Sequence, residues 1–423
     1  MSQATDIDAG STVAIIGGGQ AGAEAATLLR QNGHKGRIIL FGEEKHLPYM
    51  RPPLSKAYLA GEIGADALIY KAPVAYEKAG VELRLGERVA GIDREARRLR
   101  LESGESVAYD KLVIAAGGRA RELSVPGAKL RNIFYLRTIA DVELLQPQLQ
   151  PGRRLVIVGG GYVGLEFAAV AIKRGLRVTV LEGAPRVLAR VTAPEVSAFY
   201  ERFHRAAGVE IRTGVAVSGF TPGPDGENVG AVQCGDGLSV AADFVLVGIG
   251  LVPNTELAEE AGLVIDGGIL VDDVSRTSDP DIFAIGDCAV HARHGFLQRK
   301  MRLESVPNAL EQARTVAAVI AGKPAPAATA PWFWSDQYDL KLQMAGISEG
   351  YDELAIRGST EGSSFIAFYL KDGRVIAADA INRPAEFMAS KRLIADRAKV
   401  SAKDLADDSV PLKSLIAAAA AAA

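Results

Sequence analysis

The chain has 423 residues, 48% hydrophobic and 23% charged, with a net charge of −3. That length exceeds one ordinary core and predicts two or three domains, while the charge balance excludes the basic bias of a nucleic-acid or anionic-membrane binder. No apolar run reaches the roughly 18–20 residues of a membrane span, and two cysteines, Cys234 and Cys288, with no C-x-x-C spacing argue against a disulfide framework or a thiol relay.

In chain order, the polar opening "MSQATDIDAGS" lacks the basic and apolar regions of a signal peptide, so a cytoplasmic protein is expected. Residues 12–17 form a β-branched run, residues 22–31 have helical character, and "RIILF" (37–41) is the next parallel strand. This is a β-α-β unit of about 30 residues, the size of a dinucleotide half-site. Residues 43–60 read as loop and then helix, with Pro48, Pro52 and Pro53 as breakers. "VELRLGERVAGIDREARRLRL" and "KLVIAAG" read as strands ending on a glycine turn at Gly117 and Gly118. A second β-α-β unit opens at 154 with "RLVIVGGG", runs through a helix over 164–174 and closes with "RVTVLE" (177–182). "VEIRTG", "VGAVQC" and "DFVLVGIG" extend it as strands, and "ILVDDVSRTSDPDIFAIGDCA" predicts two strands around a turn before a helix over 304–320. "AGKPAPAATAPW" (321–332) has linker composition. Four alternating stretches then predict antiparallel strands, followed by helices over 384–397 and 401–418.

The two glycine motifs share one spacing, Gly17-x-Gly19-x-x-Gly22 and Gly159-x-Gly161-x-x-Gly164. The first glycine allows a tight turn, the second lets backbone approach a pyrophosphate, and the third lets helix and strand pack closely. The helix N-terminus offers free N–H groups to the anion. Each next strand ends in an acid, Glu43 and Glu182, placed to accept hydrogen bonds from a ribose diol. A carboxylate there repels a 2′-phosphate, which favours NADH over NADPH, although Arg186 and Arg190 lie close in sequence. One such motif is weak on its own. Two, each between an apolar strand and a helix, predict two dinucleotide sites, which could hold two nicotinamides, two flavins or one of each.

Longer stretches carry a family resemblance: "RPPLSKAYLAG" (51–61), "GGGYVGLE" (159–166), "TSDPDIFAIGDCA" (277–289), "RLESVPNALEQA" (302–313) and "PWFWSDQY" (331–338). The chain resembles the FAD-dependent pyridine nucleotide-disulfide oxidoreductases. Within them it is most similar to the ferredoxin reductases of bacterial cytochrome P450 and Rieske dioxygenase systems, the putidaredoxin reductase type. The resemblance implies an α/β fold with two Rossmann-like dinucleotide-binding domains, as in glutathione reductase, and a C-terminal α+β domain. An FAD domain of residues 10–118 and 248–325, an NAD domain of 119–247 and a C-terminal domain of 326–415 are expected.

The same resemblance implies that Gly17, Gly19, Ala21, Gly22, Glu43, Lys56, Val89, Arg137, Asp287 and Val306 contact FAD. Arg137 would meet the pyrophosphate. Gly159, Gly161, Tyr162, Gly164, Glu166, Glu182, Arg190 and Gly250 would bind NADH. Asp287, after a strand and before a helix, would hold ribityl hydroxyls; read locally, it could equally cap a helix. Lys56 would sit near flavin N5; the plain reading is a solvated lysine. Glu166 would pair with Lys56 and orient the nicotinamide carboxamide, where a first-turn glutamate on a helix dipole is the alternative. Tyr162 would cover the flavin until nicotinamide displaces it, or simply pack. No metal site is expected.

The early segment 42–60 carries no cysteine where disulfide reductases of this family carry a redox pair. Electrons would therefore leave the flavin directly, one at a time, for a [2Fe–2S] ferredoxin. Trp334 is implied to lie near the exit, and Trp332 reads as a domain anchor. An acidic ferredoxin would need basic residues, with Lys71, Arg314, Lys341, Lys391 and Arg392 as candidates, on a monomer or weak dimer. Two other functions fit these residues, a flavin NADH oxidase or quinone reductase, and an NADH-sensing binding protein resembling apoptosis-inducing factor.

Overall fold

The computed structural model describes residues 10–421; most of the polar N-terminal stretch lies outside the described residues. The chain divides into two compact units. Of the described residues, one contains those up to Met50 with Ala65–Arg119 and Val252–Thr329; the other contains Arg51–Gly64, Ala120–Leu251 and those from Ala330 onward.

The first unit is built on a five-stranded parallel sheet in the order Ile282–Ala284, Lys111–Ile114, Val13–Ile16, Ile38–Gly42, Val81–Leu85. Val13–Ile16 is buried on both faces, as the central strand of a covered parallel sheet must be. Val13 and Ile15 pack under helices Gln20–Gln31 and Val306–Ile320 on one side, and Ala14 and Ile16 pack with Leu99, Val107 and Tyr109 on the other. An antiparallel flap of Val89–Asp93, Arg98–Leu101 and Ser106–Ala108 supplies that second layer.

The second unit repeats this plan. Its parallel sheet runs Glu210–Thr213, Arg177–Glu182, Arg154–Val158, Phe244–Val247, Ile133–Tyr135. A flap of Val217–Pro222, Val229–Cys234 and Ser239–Ala241 covers one face. The same unit holds the C-terminal region, a five-stranded antiparallel sheet ordered Trp332–Gln337, Leu340–Gly346, Arg374–Ile381, Ser364–Lys371, Glu353–Ser359.

Three sequence expectations differ from what is observed. Residues 51–64 leave the expected first domain and pack with the second unit: Arg51 donates to the Arg137 carbonyl at 2.6 Å, and Gln146 donates to the Tyr58 carbonyl at 2.7 Å. The region expected to be a helix in 43–60 forms only a short 3₁₀ turn, Pro52–Ser55, which ends where Lys56 leaves helical geometry at φ −131° and ψ −117°. The single helix expected over 401–418 is two, Ala402–Ala406 and Leu412–Ala421. Pro411 ends the continuity, and the buried Arg357 guanidinium binds the carbonyls of Leu405, Asp407 and Val410 that a helix would have used.

Candidate active site

In the first unit the strand Val13–Ile16 runs into Gly17, whose φ of +118° suits only glycine. A Cβ there would stand 2.2 Å from the Ala115 carbonyl oxygen, and one on Gly22 would stand 2.1 Å from that of Gly17. The third glycine thus lets the helix Gln20–Gln31 lie directly against the turn. Gly19, the helix N-cap, meets nothing within 4 Å on its open side, and no side chain caps this helix. The result is an open cradle of backbone at a positive helix end, the shape and polarity a pyrophosphate requires.

The second unit reproduces the geometry. Gly159 has φ +108°, with a would-be Cβ 2.5 Å from the Gly248 oxygen, and Gly164 would place one 2.2 Å from the Gly159 oxygen. Gly161 opens onto empty space and leaves the helix Tyr162–Lys173 without a side-chain cap. Both cradles therefore fit a dinucleotide.

Their acids differ. Glu43 follows strand Ile38–Gly42, is largely exposed, and lies 3.6 Å from Arg88. Glu182 ends its strand with both carboxylate oxygens engaged: Oε2 accepts the Gly160 N–H at 2.6 Å and Oε1 accepts the Ala184 N–H at 2.7 Å. Its charge is thereby fixed at the mouth of the cradle. Arg186 is turned into its own loop, donating to Ser197 at 2.5 Å and to the Ala189 carbonyl at 2.9 Å, which removes it from the ribose position. Arg190 is exposed, with its guanidinium 3.9 Å from a Cβ built on Gly250, and so is the one cation of this pair beside the site.

Behind the second turn lies a buried ion pair. Glu166, 4% exposed, accepts from Lys56 Nζ at 2.7 Å and from Ser55 Oγ at 2.5 Å on one oxygen, and from Ser335 Oγ at 2.6 Å on the other. Three separate segments converge on it: the Pro52–Ser55 turn, the glycine helix, and the first strand of the antiparallel sheet. Lys56 also donates to the Pro52 carbonyl at 3.3 Å. It is thus held in place, as an exposed surface lysine would not be. Removing one partner of such a pair costs about 3–5 kcal/mol, because the other charge stays behind unpaired.

Tyr162 is the first helical residue after the turn. Its ring packs on Phe333 at 4.8 Å, and its hydroxyl donates to the Met344 sulfur at 2.8 Å. Strand Trp332–Gln337 explains much of this side. Period-2 alternation sends Phe333, Ser335 and Gln337 to the helix side and Trp332 and Trp334 to the other. The two indoles lie 5.6 Å apart, and Trp332 packs against Phe387.

In the first unit Asp287 sits in a 3₁₀ turn, Gly286–Cys288, which leads into strand Ala289–His291. The helix expected directly after it is absent, so the helix-cap reading is corrected. Gln312 holds this turn by accepting the Gly286 N–H at 2.6 Å. Ala21 is buried against Gly286, and Val306 opens the helix Val306–Ile320, which Ser305 caps. Val89 opens the first strand of the flap with its side chain buried in the core, so only its backbone is available to a ligand. In the second unit Arg137 precedes the capping box of Thr138 and Asp141.

Among the basic candidates, Lys71 is drawn into an ion pair with Glu24 at 2.7 Å, and Tyr70 donates to the same carboxylate at 2.9 Å. Glu24 holds in the first glycine helix the position that Glu166 holds in the second, so each acid has its own lysine. Lys391 lies over the Trp332 ring at 5.1 Å, Arg392 pairs with Asp396, and Arg314 and Lys341 are exposed. Both cysteines are buried, and burial pushes the Cys288 thiol up to about 11, the opposite of an activated thiolate. Sequence reasoning missed Ser55, Ser335, Gln337 and His204. The signal for Ser335 and Gln337 was present as polar residues alternating with the tryptophans of "PWFWSDQY".

Residues 11–313 match the pyridine nucleotide-disulphide oxidoreductase family, and residues 332–416 match the reductase C-terminal family. The chain belongs to the pyridine nucleotide-disulphide oxidoreductases. Among the similar members of this family, putidaredoxin reductase CamA of Pseudomonas putida is 50% identical over 98% of both chains. The ferredoxin reductase subunit of 5,5′-dehydrodivanillate O-demethylase from a Sphingobium is 45% identical over 96% of this chain and 98% of its own. In a solved covalent putidaredoxin reductase–putidaredoxin complex, the matching chain superposes with a TM-score of 0.94 at 50% identity, covering 97% of this chain and 99% of that one. A family of FAD- and NAD(P)H-using reductases accounts for two cradles in one chain.

Proposed function

We propose that this oxidoreductase is an NADH-dependent ferredoxin reductase that passes electrons from NADH through FAD to a [2Fe–2S] ferredoxin serving a cytochrome P450 or ring-hydroxylating dioxygenase. The observation that carries the reading is the duplicated cradle with unequal surroundings, the second one backed by the Lys56–Glu166 pair. FAD when bound supplies hydride acceptance and single-electron release. The residues here bind and orient. Gly17, Gly19 and Gly22 admit the FAD pyrophosphate, with Glu43 at the ribose and Asp287 at the ribityl chain. Gly159, Gly161 and Gly164 admit that of NADH, and Glu182 reads its unphosphorylated ribose. Glu166 presents a fixed carboxylate to the nicotinamide amide, and Lys56 pairs with that carboxylate in a largely buried setting. The two buried thiols leave no dithiol step to compete with direct electron transfer.

The relatives support the acceptor, since their names specify putidaredoxin and ferredoxin reductases. The docking residues we assign in the second unit are Lys391 over Trp332, Arg392 and Lys341; in the first unit Arg314 is the exposed candidate, and Lys71, paired with Glu24, contributes least. The test is NADH-driven cytochrome c reduction by the FAD-loaded enzyme, with and without [2Fe–2S] ferredoxins of P450 and dioxygenase systems. Ferredoxin should raise the rate at least tenfold. Equal rates with oxygen or quinone as acceptor and no gain from any ferredoxin would replace this reading with an NADH oxidase.

A further inference from the structure

Behind Glu166 a line of polar side chains runs through the second unit. Ser335 Oγ lies 2.6 Å from Glu166 Oε1, Gln337 Nε2 lies 3.2 Å from Ser335 Oγ, His204 Nε2 lies 2.8 Å from Gln337 Oε1, and Tyr338 Oη lies 3.1 Å from His204 Nδ1. Ser335, Gln337 and His204 are each fully buried. Tyr338, half-exposed, ends the line.

The donor and acceptor chemistry of these groups leaves one direction only. Glu166, paired with Lys56, can only accept, so Ser335 must give it the hydroxyl proton. That leaves Ser335 oxygen as an acceptor, so Gln337 must turn its NH₂ toward it. The Gln337 carbonyl then faces His204, whose Nε2 must carry the proton. Nδ1 is then the bare nitrogen, and Tyr338 must donate to it. Burial lowers the His204 pKa to about 4, in keeping with a neutral ring holding a single proton. The charged and titratable groups that face Glu166 from its neighbours are Lys56, Tyr162 and Tyr200, with Asp379 acting on the same tyrosines and Asp336 on Tyr200. None of these bonds to the line. Tyr338 has φ +57°, a backbone conformation that a bulky residue adopts only under constraint. Its ring stacks within 5.0 Å of His204 and 5.3 Å of Phe203. The strained turn aims the hydroxyl.

We propose that Tyr338, His204, Gln337 and Ser335 are positioning residues that form a one-way hydrogen-bond array holding the Glu166 carboxylate in a single orientation for nicotinamide binding and hydride transfer. The array rests on the role given to Glu166 under Proposed function. Glu166, which can only accept, sets the direction of the array, and Tyr338 completes it by donating to the His204 nitrogen left bare.

The test uses the full-length FAD-loaded protein labelled with ¹⁵N-histidine. His204, assigned through a His204→Gln variant among the five histidines, should be in the Nε2–H form from pH 6 to 8. In Tyr338→Phe it should keep that form, with the Nδ1 signal shifted by the loss of its donor, while the melting temperature stays the same. In anaerobic stopped-flow reduction by NADH, Tyr338→Phe, which leaves the Ser335 bond to Glu166 in place, should lower the limiting rate less than Ser335→Ala does. Ser335→Ala should lower it about tenfold, the loss of one charge-assisted hydrogen bond, and Ser335→Thr should restore it. An Nδ1–H tautomer in the wild type, or unaltered His204 signals in Tyr338→Phe, overturns the proposal. Equal rates for wild type, Tyr338→Phe and Ser335→Ala do the same if Glu166→Gln is slow. If Glu166→Gln is itself as fast as wild type, the role of Glu166 falls, separately from the array.

Discussion

Replacing Glu182 by Ala removes the group that we assign to choosing between NADH and NADPH. In the structure its carboxylate accepts two backbone N–H groups, from Gly160 and Ala184, at 2.6 and 2.7 Å. These bonds aim the charge at the place where a ribose diol lies on such a turn. A hydrogen bond to a charged group is worth about 1.5–3 kcal/mol, so loss of the diol contact should lower kcat/KM for NADH by about 10- to 100-fold. NADPH gains from the same change. Two like charges about 4 Å apart repel by about 4 kcal/mol at an effective dielectric of 20; solvent at this half-exposed position reduces that, and a gain of about tenfold is expected. Arg190, exposed beside Gly250, becomes the nearest charge to a 2′-phosphate. Steady-state kcat/KM with each nucleotide, at saturating ferredoxin, measures the ratio directly. The ratio should narrow by at least 100-fold. An unchanged ratio would refute the assignment of Glu182, and an equal fall for both nucleotides would show that the carboxylate only braces the turn.

Two further substitutions probe other parts of the second unit. Gly161→Ala should fold with an unchanged melting temperature, since φ is −82° and its Cβ meets nothing within 4 Å, yet its methyl fills the cradle and should weaken NADH binding at least tenfold; Gly164→Ala, with a Cβ 2.2 Å from the Gly159 oxygen, should lose both stability and binding. Titration of NADH against the holoenzyme separates the two, and normal NADH affinity in Gly161→Ala would count against the cradle. Burial raises the Asp379 carboxyl from 3.8 to about 7 while Tyr369 donates to it at 2.5 Å. Between those pH values the native state holds a proton that the unfolded chain releases, so stability falls as pH rises from about 4 to 7. Asp379→Asn, which keeps an acceptor for Tyr369, should therefore stabilise the protein by up to about 4 kcal/mol above pH 7 and little at pH 4. A melting-temperature difference that does not vary between pH 4 and 8.5 would contradict this.

Much of the site is written locally. Gly17 and Gly159 stand in sequence where strand meets helix, and their positive φ follows from that junction. Glu182 is legible for the same reason, as the last residue of the strand paired beside the turn. Lys56 and Glu166 carry no such mark. Each reads as an ordinary surface or first-turn residue, and only family likeness joined them before the structure placed them 2.7 Å apart. The Lys71–Glu24 pair is hidden in the same way, because Glu24 is distant in the chain. The long C-terminal helix was overextended because alanine-rich periodicity says nothing of Arg357, which takes the intervening carbonyls.

The division follows the range of the interactions. Turns, strand-to-helix junctions and alternation depend on neighbours a few residues apart, so the order of amino acids settled two β-α-β units, two cradles and the alternating faces of "PWFWSDQY". Which charge meets which depends on loop closure between segments far apart in the chain, and no local pattern encodes it. Only the folded unit brings Ser55, Ser335 and Lys56 to one carboxylate and aligns His204 and Tyr338 behind it. There, burial from water turns ordinary side chains into groups that must find partners, and those partners set the orientation of Glu166.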